Sequence, residues 1–154
     1  MGFTITEKIL ARASDNDQVR AGDEIKAKPD FVIAYDFPGY TDVIFKHMED
    51  EFGIKKVAEP ERFVLFIDHM VPAVTPAEED LHQVTRDWGA KNKVAVHERK
   101  GIGHHVGSEL GYATPGAFAV HFDGHVSQMG TFGTYAMGIR RHLLEAFVQE
   151  RIQL

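Results

Sequence analysis

Cysteine is absent from all 154 residues, which excludes disulfides, a thiol nucleophile and any thiolate-held metal within this chain. No apolar run approaches the roughly 18 residues a helical membrane span needs. A signal peptide is equally unexpected, because Glu7, Lys8 and Arg12 interrupt the N-terminus where an apolar segment would lie. A cytoplasmic location is therefore the default expectation. Basic clusters are missing too: nothing longer than Arg140-Arg141 occurs and the net charge is -6, which argues against nucleic acid as a partner. No internal repeat, low-complexity tract or linker stands out.

What remains is an ordinary globular composition, 44% hydrophobic and 26% charged. The length suits one domain, residues 1–154, with a core of its own. The excess is in histidine, with nine in the chain. Most of them fall near the ends of predicted strands.

In chain order, Thr4-Ile5-Thr6-Glu7 reads as a capping box. Ile5, Ile9 and Ala13 give the helix after it one apolar stripe, and Ser14-Asp15-Asn16-Asp17 ends it. Residues 18–29 read as loop with a short strand near 24–27. The continuous apolar run Phe31–Tyr35 predicts a buried strand ending at Asp36, broken by Pro38-Gly39. Ile44, Met48 and Phe52 mark a helix over about 41–51 that Gly53 closes. Phe63–Ile67 is a second buried strand, followed by Asp68-His69. Thr75-Pro76-Ala77-Glu78 combines a capping box with proline at the first helical position. Ala77, Leu81, Val84 and Trp88 are the expected buried face of that helix, and Gly89 its expected stop.

Residues 93–96 make a shorter third strand, and a loop over 98–103 leads to His104, with a brief helical turn over 105–110. Pro115-Gly116 turns the chain into a fourth strand, 117–122, and Asp123-Gly124-His125 follows it. From Thr131 onward Phe132, Ala136, Ile139, Leu143 and Phe147 predict a long amphipathic helix. Gly130-Thr131-Phe132-Gly133 would supply backbone N–H groups at its start, with Ser127 as a candidate N-cap; close helix packing explains the glycines equally well. Strand and helix alternate, so the expected fold is α/β, three-layered, with a largely parallel sheet flanked by helices.

Open sheets of this kind bind ligands beyond the C-terminal ends of their strands. Asp36, Asp68-His69, His104 and Asp123-Gly124-His125 are all expected there. A carboxylate beside an imidazole fixes its tautomer and raises its basicity, which suits acid–base chemistry near neutral pH. The candidate pairs are Asp68 with His69, and Asp123 with His104 or His125. Tyr35 and Asp36 are candidates for ligand contact. His47, His82 and His142 are expected on helix surfaces, and His97 and His121 packed locally. Neither a phosphate loop nor a His-Glu-x-x-His metal helix is present.

These residues resemble the aconitase superfamily, most closely 3-isopropylmalate dehydratase and homoaconitase-type large subunits. The likeness runs through the first residues (Met1–Ala13), Tyr35-Asp36, Pro60-Glu61-Arg62, Phe66-Ile67-Asp68-His69-Met70-Val71-Pro72-Ala73, Gly101-Ile102-Gly103-His104, Pro115-Gly116, Asp123-Gly124-His125-Val126 and Met129–Ile139. It implies an aconitase-like N-terminal domain of a longer lyase that removes and re-adds water on a hydroxy di- or tricarboxylic acid, as in leucine biosynthesis. It also implies a [4Fe-4S] cluster as Lewis acid. Asp68-His69 would be the pair whose histidine protonates the departing hydroxyl, His104 and Asp123 a second pair, and His125 a third site histidine. The remaining domains and a small swivelling subunit would be the partners.

The resemblance has departures. Gly124 stands where the family carries a serine that contacts a substrate carboxylate, and Tyr35 where relatives carry histidine or glutamine, so the substrate stays open. The family's three cluster cysteines lie beyond the region matched here. This chain has none, so it is expected to bind no cluster and to be inactive alone, and to expose apolar surface that favours self-association. Two other readings stand beside this one. One is a metallohydrolase binding a metal through His69, His104, His125 and Asp123. The other is a non-catalytic interaction domain that keeps the scaffold.

Overall fold

Thr4 opens the first helix as its spacing from Glu7 demands: the Thr4 hydroxyl accepts the Glu7 N–H at 3.2 Å, and the Glu7 carboxylate accepts the Thr4 N–H at 2.7 Å. The computed structural model describes residues 2–36, 41–139, 146 and 150–154. Its backbone falls into two compact units, Met1–Val32 with Gly107–Leu154, and Ile33–Val106.

In the first unit α1 (Ile5–Ala13) buries Ile9 and Ala13 but leaves Ile5 exposed, so its stripe is shorter than predicted. Arg12 reaches from α1 to the Asp30 carboxylate and to the Gly116 carbonyl, and Asp30 in turn accepts the Phe118 N–H at 2.8 Å. These bonds fasten α1 to the start of β5 (Phe118–His121), which is wholly buried. Strand β5 pairs in parallel with β6 (Tyr135–Gly138), the two being joined through a 3₁₀ helix, Gly124–Phe132. The short strand expected near 24–27 is β1 (Lys26–Ala27). It pairs antiparallel with β7 (Ile152–Gln153), which the sequence pattern did not suggest.

The helix expected from Thr131 is not what forms there. Residues 131–132 finish the 3₁₀ helix, Gly133 ends it at φ +77°, and the chain enters β6. A four-residue apolar run such as Tyr135–Gly138 fits either period, and here pairing with β5 decides. Gly133 is thus at a helix C-terminus rather than an N-terminus, which removes the favourable dipole for an anion. Asp123, not Ser127, occupies the N-cap position. Of the rest of that stretch Leu143, Phe147 and His142 lie outside the described residues.

In the second unit β3 (Phe63–Ile67) is buried along its whole length and pairs in parallel with β4 (Ala95–Glu98). Strand β2 (Phe31–Tyr35) runs into this unit from Ile33 onward, giving the order β4-β3-β2. Pro38-Gly39, expected to break the chain after β2, lies outside the described residues. Helices α2 (Thr41–Asp50) and α3 (Pro76–Asn92) meet where Phe45 stacks on Trp88, ring centroids 4.0 Å apart. In α2 the buried positions are Phe45 and Met48, whereas Phe52 is exposed. Gly53 does close α2: it has φ +62°, and the Ile54 N–H bonds back to the Met48 carbonyl at 2.8 Å.

Helix α3 begins at the Thr75/Glu78 capping box with Pro76 at its first position. Its buried face is turned away from the predicted one. His82, Thr85, Trp88, Gly89 and Asn92 are buried, while Ala77 and Val84 face outward. Gly89 does not stop the helix but lets it approach β4: a Cβ there would stand 2.3 Å from a Val96 methyl. The stop is Lys93, at φ 60°. Helix α4 (Gly103–Glu109) follows β4. The fold is α/β with parallel strands flanked by helices, as the alternation predicted. No helix among the described residues is long and apolar enough to cross a membrane.

Candidate active site

The second unit gathers its acids and imidazoles at the ends of β2 and β3. Asp36, the first residue past β2, is completely buried. Its Oδ1 accepts the backbone N–H groups of Asp68 at 2.9 Å and His69 at 3.2 Å, pinning the turn that leaves β3. The backbone then bends sharply, with Met70 at φ +52°. Its other oxygen, Oδ2, lies 2.9 Å from His82 Nε2. That same nitrogen meets the His69 carbonyl at 2.9 Å. Facing two acceptors, Nε2 must carry the ring proton. Its alignment favours the carbonyl, and Asp36 Oδ2 lies beside the same nitrogen as a close polar neighbour.

His69 Nδ1 lies 2.7 Å from Asp68 Oδ1 and 3.5 Å from Asp36 Oδ1, and it is buried against them. The ring as a whole is 38% exposed, leaving Nε2 as the nitrogen able to exchange a proton with a bound molecule. Asp36 and Asp68 together favour the imidazolium, and the His69 pKa is pushed up to about 10. Asp68 Oδ2 accepts the Gly103 N–H at 2.5 Å. One carboxylate thus ties the histidine to the first residue of α4.

A raised folded-state pKa carries a signed consequence for stability. Relative to an unfolded histidine near 6.5, His69 contributes stability fully below that value, and the contribution is lost as pH rises through about 10. Urea midpoints measured at pH 6 and pH 10 should therefore fall toward the alkaline end. The fall should shrink in Asp68→Asn, and an equal fall in that variant would assign the pH dependence to other groups.

Tyr35 lies between two imidazoles, its ring centroid 6.1 Å from that of His69 and 6.3 Å from that of His104. Tyr35 and Asp36 are 2% and 0% exposed, so both sit beneath the His69 surface. Beside Asp68 a cleft of about 460 Å³ is lined by Ile67, Val71, Pro72, Arg99 and Ile102.

The first unit holds the other group of candidates. Asp123 follows β5 by two residues, and its Oδ2 lies 2.6 Å from His125 Nδ1. Burial opposes ionisation of Asp123, but the His125 imidazole outweighs it and holds the carboxyl below its ordinary range. The Asp123 N–H donates to Nδ1 of the fully buried His121 at 2.9 Å. Of the two partners expected for Asp123, His125 is the one it contacts within its own unit. Gly138 is required here, because a Cβ would come within 2.9 Å of the Asp123 carbonyl. Gly124 is the opposite case, with nothing within 4 Å of a Cβ. Gly124→Ser should therefore change unfolding stability by less than about 0.5 kcal/mol, as a denaturation curve would show.

Among the described residues one group, Asp36, Asp68 and His69, brings metal-type ligand atoms within 4.8 Å of one another. It differs from the set predicted from sequence, and its atoms are engaged: Asp36 by two backbone N–H groups, Asp68 by Gly103 and His69, and His69 as an imidazolium.

The residue that sequence reasoning missed is His82, expected at the surface and found 2% exposed. A signal was available. His82, Thr85, Trp88-Gly89 and Asn92 recur at helical spacing around the large aromatic, and choosing the aliphatic stripe over them turned the face outward.

Fold and site together define an α/β protein whose strand ends carry carboxylate-held histidines, a construction for moving protons. Its sequence is homologous to the large subunits of 3-isopropylmalate dehydratase and homoaconitase, the relationship to which its motifs point. It is 36% identical over 143 residues to a probable 3-isopropylmalate dehydratase large subunit of Methanothermobacter thermautotrophicus, a match covering 90% of this chain and 33% of the relative. The 3-isopropylmalate dehydratase large subunit of Aquifex aeolicus is 34% identical over 141 residues, 90% of this chain and 32% of that protein. A probable methanogen homoaconitase large subunit of Methanothermobacter thermautotrophicus is 33% identical, covering 89% of this chain and 33% of its own. The chain therefore spans about a third of the length of the curated relatives it matches. No family model matches it.

Proposed function

We propose that this chain is one domain of a hydro-lyase that eliminates and re-adds water on a hydroxy di- or tricarboxylic acid of the 3-isopropylmalate class, in the cytoplasm. The observation that carries the proposal is the His69 clamp: Nδ1 is buried against Asp68 and Asp36, 2.7 Å and 3.5 Å away, and the two carboxylates push its pKa up to about 10. Such a residue is charged with its proton at any physiological pH. It gives the Nε2 proton to the departing hydroxyl, which leaves as water as the C–O bond breaks, while a base supplied by the rest of the complete enzyme takes the proton from the neighbouring carbon; the ring remains as the neutral Nδ1–H tautomer that Asp68 supports. Hydration runs the same path backward. His104, Asp123 and His125 are proposed as further acid–base residues of this chemistry on the shared motifs alone.

The family's iron–sulfur cluster does not fit the donors present. Clusters of this kind take thiolates, and the chain has only carboxylates and imidazoles to offer. The isolated chain is proposed to be inactive. The cluster, the remaining domains and a small subunit belong to the complete enzyme. The test is a fusion of this chain with the rest of a relative's large subunit, assayed with its small subunit on 3-isopropylmalate and related hydroxy acids. A folded, cluster-loaded fusion that dehydrates none of them would overturn the proposal.

A further inference from the structure

We propose that His82 is a positioning residue for His69, acting on it both directly, through the His69 backbone carbonyl, and indirectly, through the Asp36 carboxylate. The inference rests on the reading of His69 as a proton donor and adds a device on α3 that sets its charge and orientation.

Four observations converge. His82 is 2% exposed although it stands on a helix whose flanking aliphatics, Ala77 and Val84, face outward. A helix that turns an imidazole inward in place of those aliphatics gives up apolar burial, so the imidazole must find compensation inside. It finds an aligned acceptor in the His69 carbonyl and a close carboxylate oxygen in Asp36 Oδ2, each 2.9 Å from Nε2. Asp36 uses its other oxygen for the Asp68 and His69 N–H groups, so one carboxylate couples His82 to the turn carrying the acid. Finally, Asp36 lies 3.5 Å from His69 Nδ1, close enough for its charge to act on the ring.

The sign of the effect follows from the burial of Asp36. Its Oδ2 is buried with His82 Nε2 against it. Removing that N–H leaves a buried carboxylate oxygen without its polar neighbour and frees the His69 carbonyl, so the carboxylate and the turn it pins lose the contact that holds them against the His69 ring. An Asp36 carboxylate held less closely at Nδ1 supports the imidazolium at His69 less. The other charged groups within electrostatic reach of His82 are Glu78 on its own helix and Glu98 of β4, the latter paired with Arg86. His69 itself faces Asp36 and Asp68.

The experiment is an NMR titration of the His69 ring in the 154-residue chain and in three variants. In His82→Leu, which keeps bulk and loses the donor, the His69 pKa should fall by about one unit or more. In His82→Gln, whose amide N–H can reach the same acceptors, it should stay within about half a unit of the parent. Asp36→Asn, which keeps an acceptor and removes the charge, should lower it as His82→Leu does. A folded His82→Leu with an unchanged His69 pKa overturns the inference, and so does His82→Gln falling as far as His82→Leu. Should His82→Leu fail to fold, Asp36→Asn and His82→Gln decide between the same outcomes. A parent His69 that titrates near the ordinary histidine value overturns instead the underlying reading of His69.

Discussion

Replacing Gly103 by alanine should destabilise the chain by roughly 3 kcal/mol and break the link between Asp68 and α4. A Cβ at this position would lie 2.5 Å from Tyr35 Cε1, 2.8 Å from Phe66 Cβ and 2.9 Å from Asp68 Oδ2. None of the three can yield easily. Phe66 is a buried strand residue whose Cβ moves only with its backbone, and Tyr35 is held in the core at 2% exposure. Asp68 would have to retreat from the Gly103 N–H it accepts, leaving a poorly exposed carboxylate short of a donor. Urea denaturation at pH 7 measures the loss, and the His69 ring resonances report the displaced carboxylate. A variant within about 0.5 kcal/mol of the parent, with unchanged His69 resonances, would mean that α4 can move away at little cost and that its position does not hold the site.

The second large effect is catalytic. In the fusion that completes the enzyme, His69→Gln should lower kcat by about 10² to 10⁴-fold, the range for removing a positioned general acid. Glutamine retains hydrogen-bonding capacity near Asp68 but has no titratable proton to transfer. The Michaelis constant should change much less than kcat if His69 acts, as proposed, on the departing hydroxyl rather than on a part of the substrate bound equally throughout. Steady-state rates with 3-isopropylmalate provide the measurement. A kcat within about threefold of the parent would remove His69 from the chemistry and leave the clamp a stability device, with no general-acid contribution of the expected size to account for.

Local rules read the elements of this chain well where one residue or one short pattern settles the matter. Thr4 with Glu7 and Thr75 with Glu78 announce helix starts because the hydrogen bonds that make them are confined to four consecutive residues. Phe31–Tyr35, Phe63–Ile67 and Phe118–His121 are legible because continuous apolar runs of that length suit strands buried on both faces. The rule that such sheets present their sites at strand ends drew attention to Asp36, Asp68 and Asp123 before any coordinate did.

Other features were not legible for stated reasons. Residues 131–138 carry apolar spacing compatible with helix, and only pairing with β5 makes Tyr135–Gly138 a strand. The face of α3 was misjudged because aliphatics were weighed above a histidine, although buried polar groups are stable once an acceptor is supplied. That acceptor is the His69 carbonyl, with Asp36, 46 positions away along the chain, beside the same nitrogen, and no local pattern joins either to His82.

The sequence by itself determined the class of fold, the two capping-box helix starts, the buried strands and the residue types available for chemistry: carboxylates and imidazoles, and no thiolate. Those are properties of composition and of short-range periodicity. Tertiary structure alone decided which carboxylate serves which histidine. It placed Asp36 under both His69 and His82, gave Asp68 to His69 and Gly103, and paired Asp123 with His125. The physical reason is that an ion pair is set by distance and burial in space, and residues far apart in sequence acquire both only when parallel strands and their helices bring their ends together.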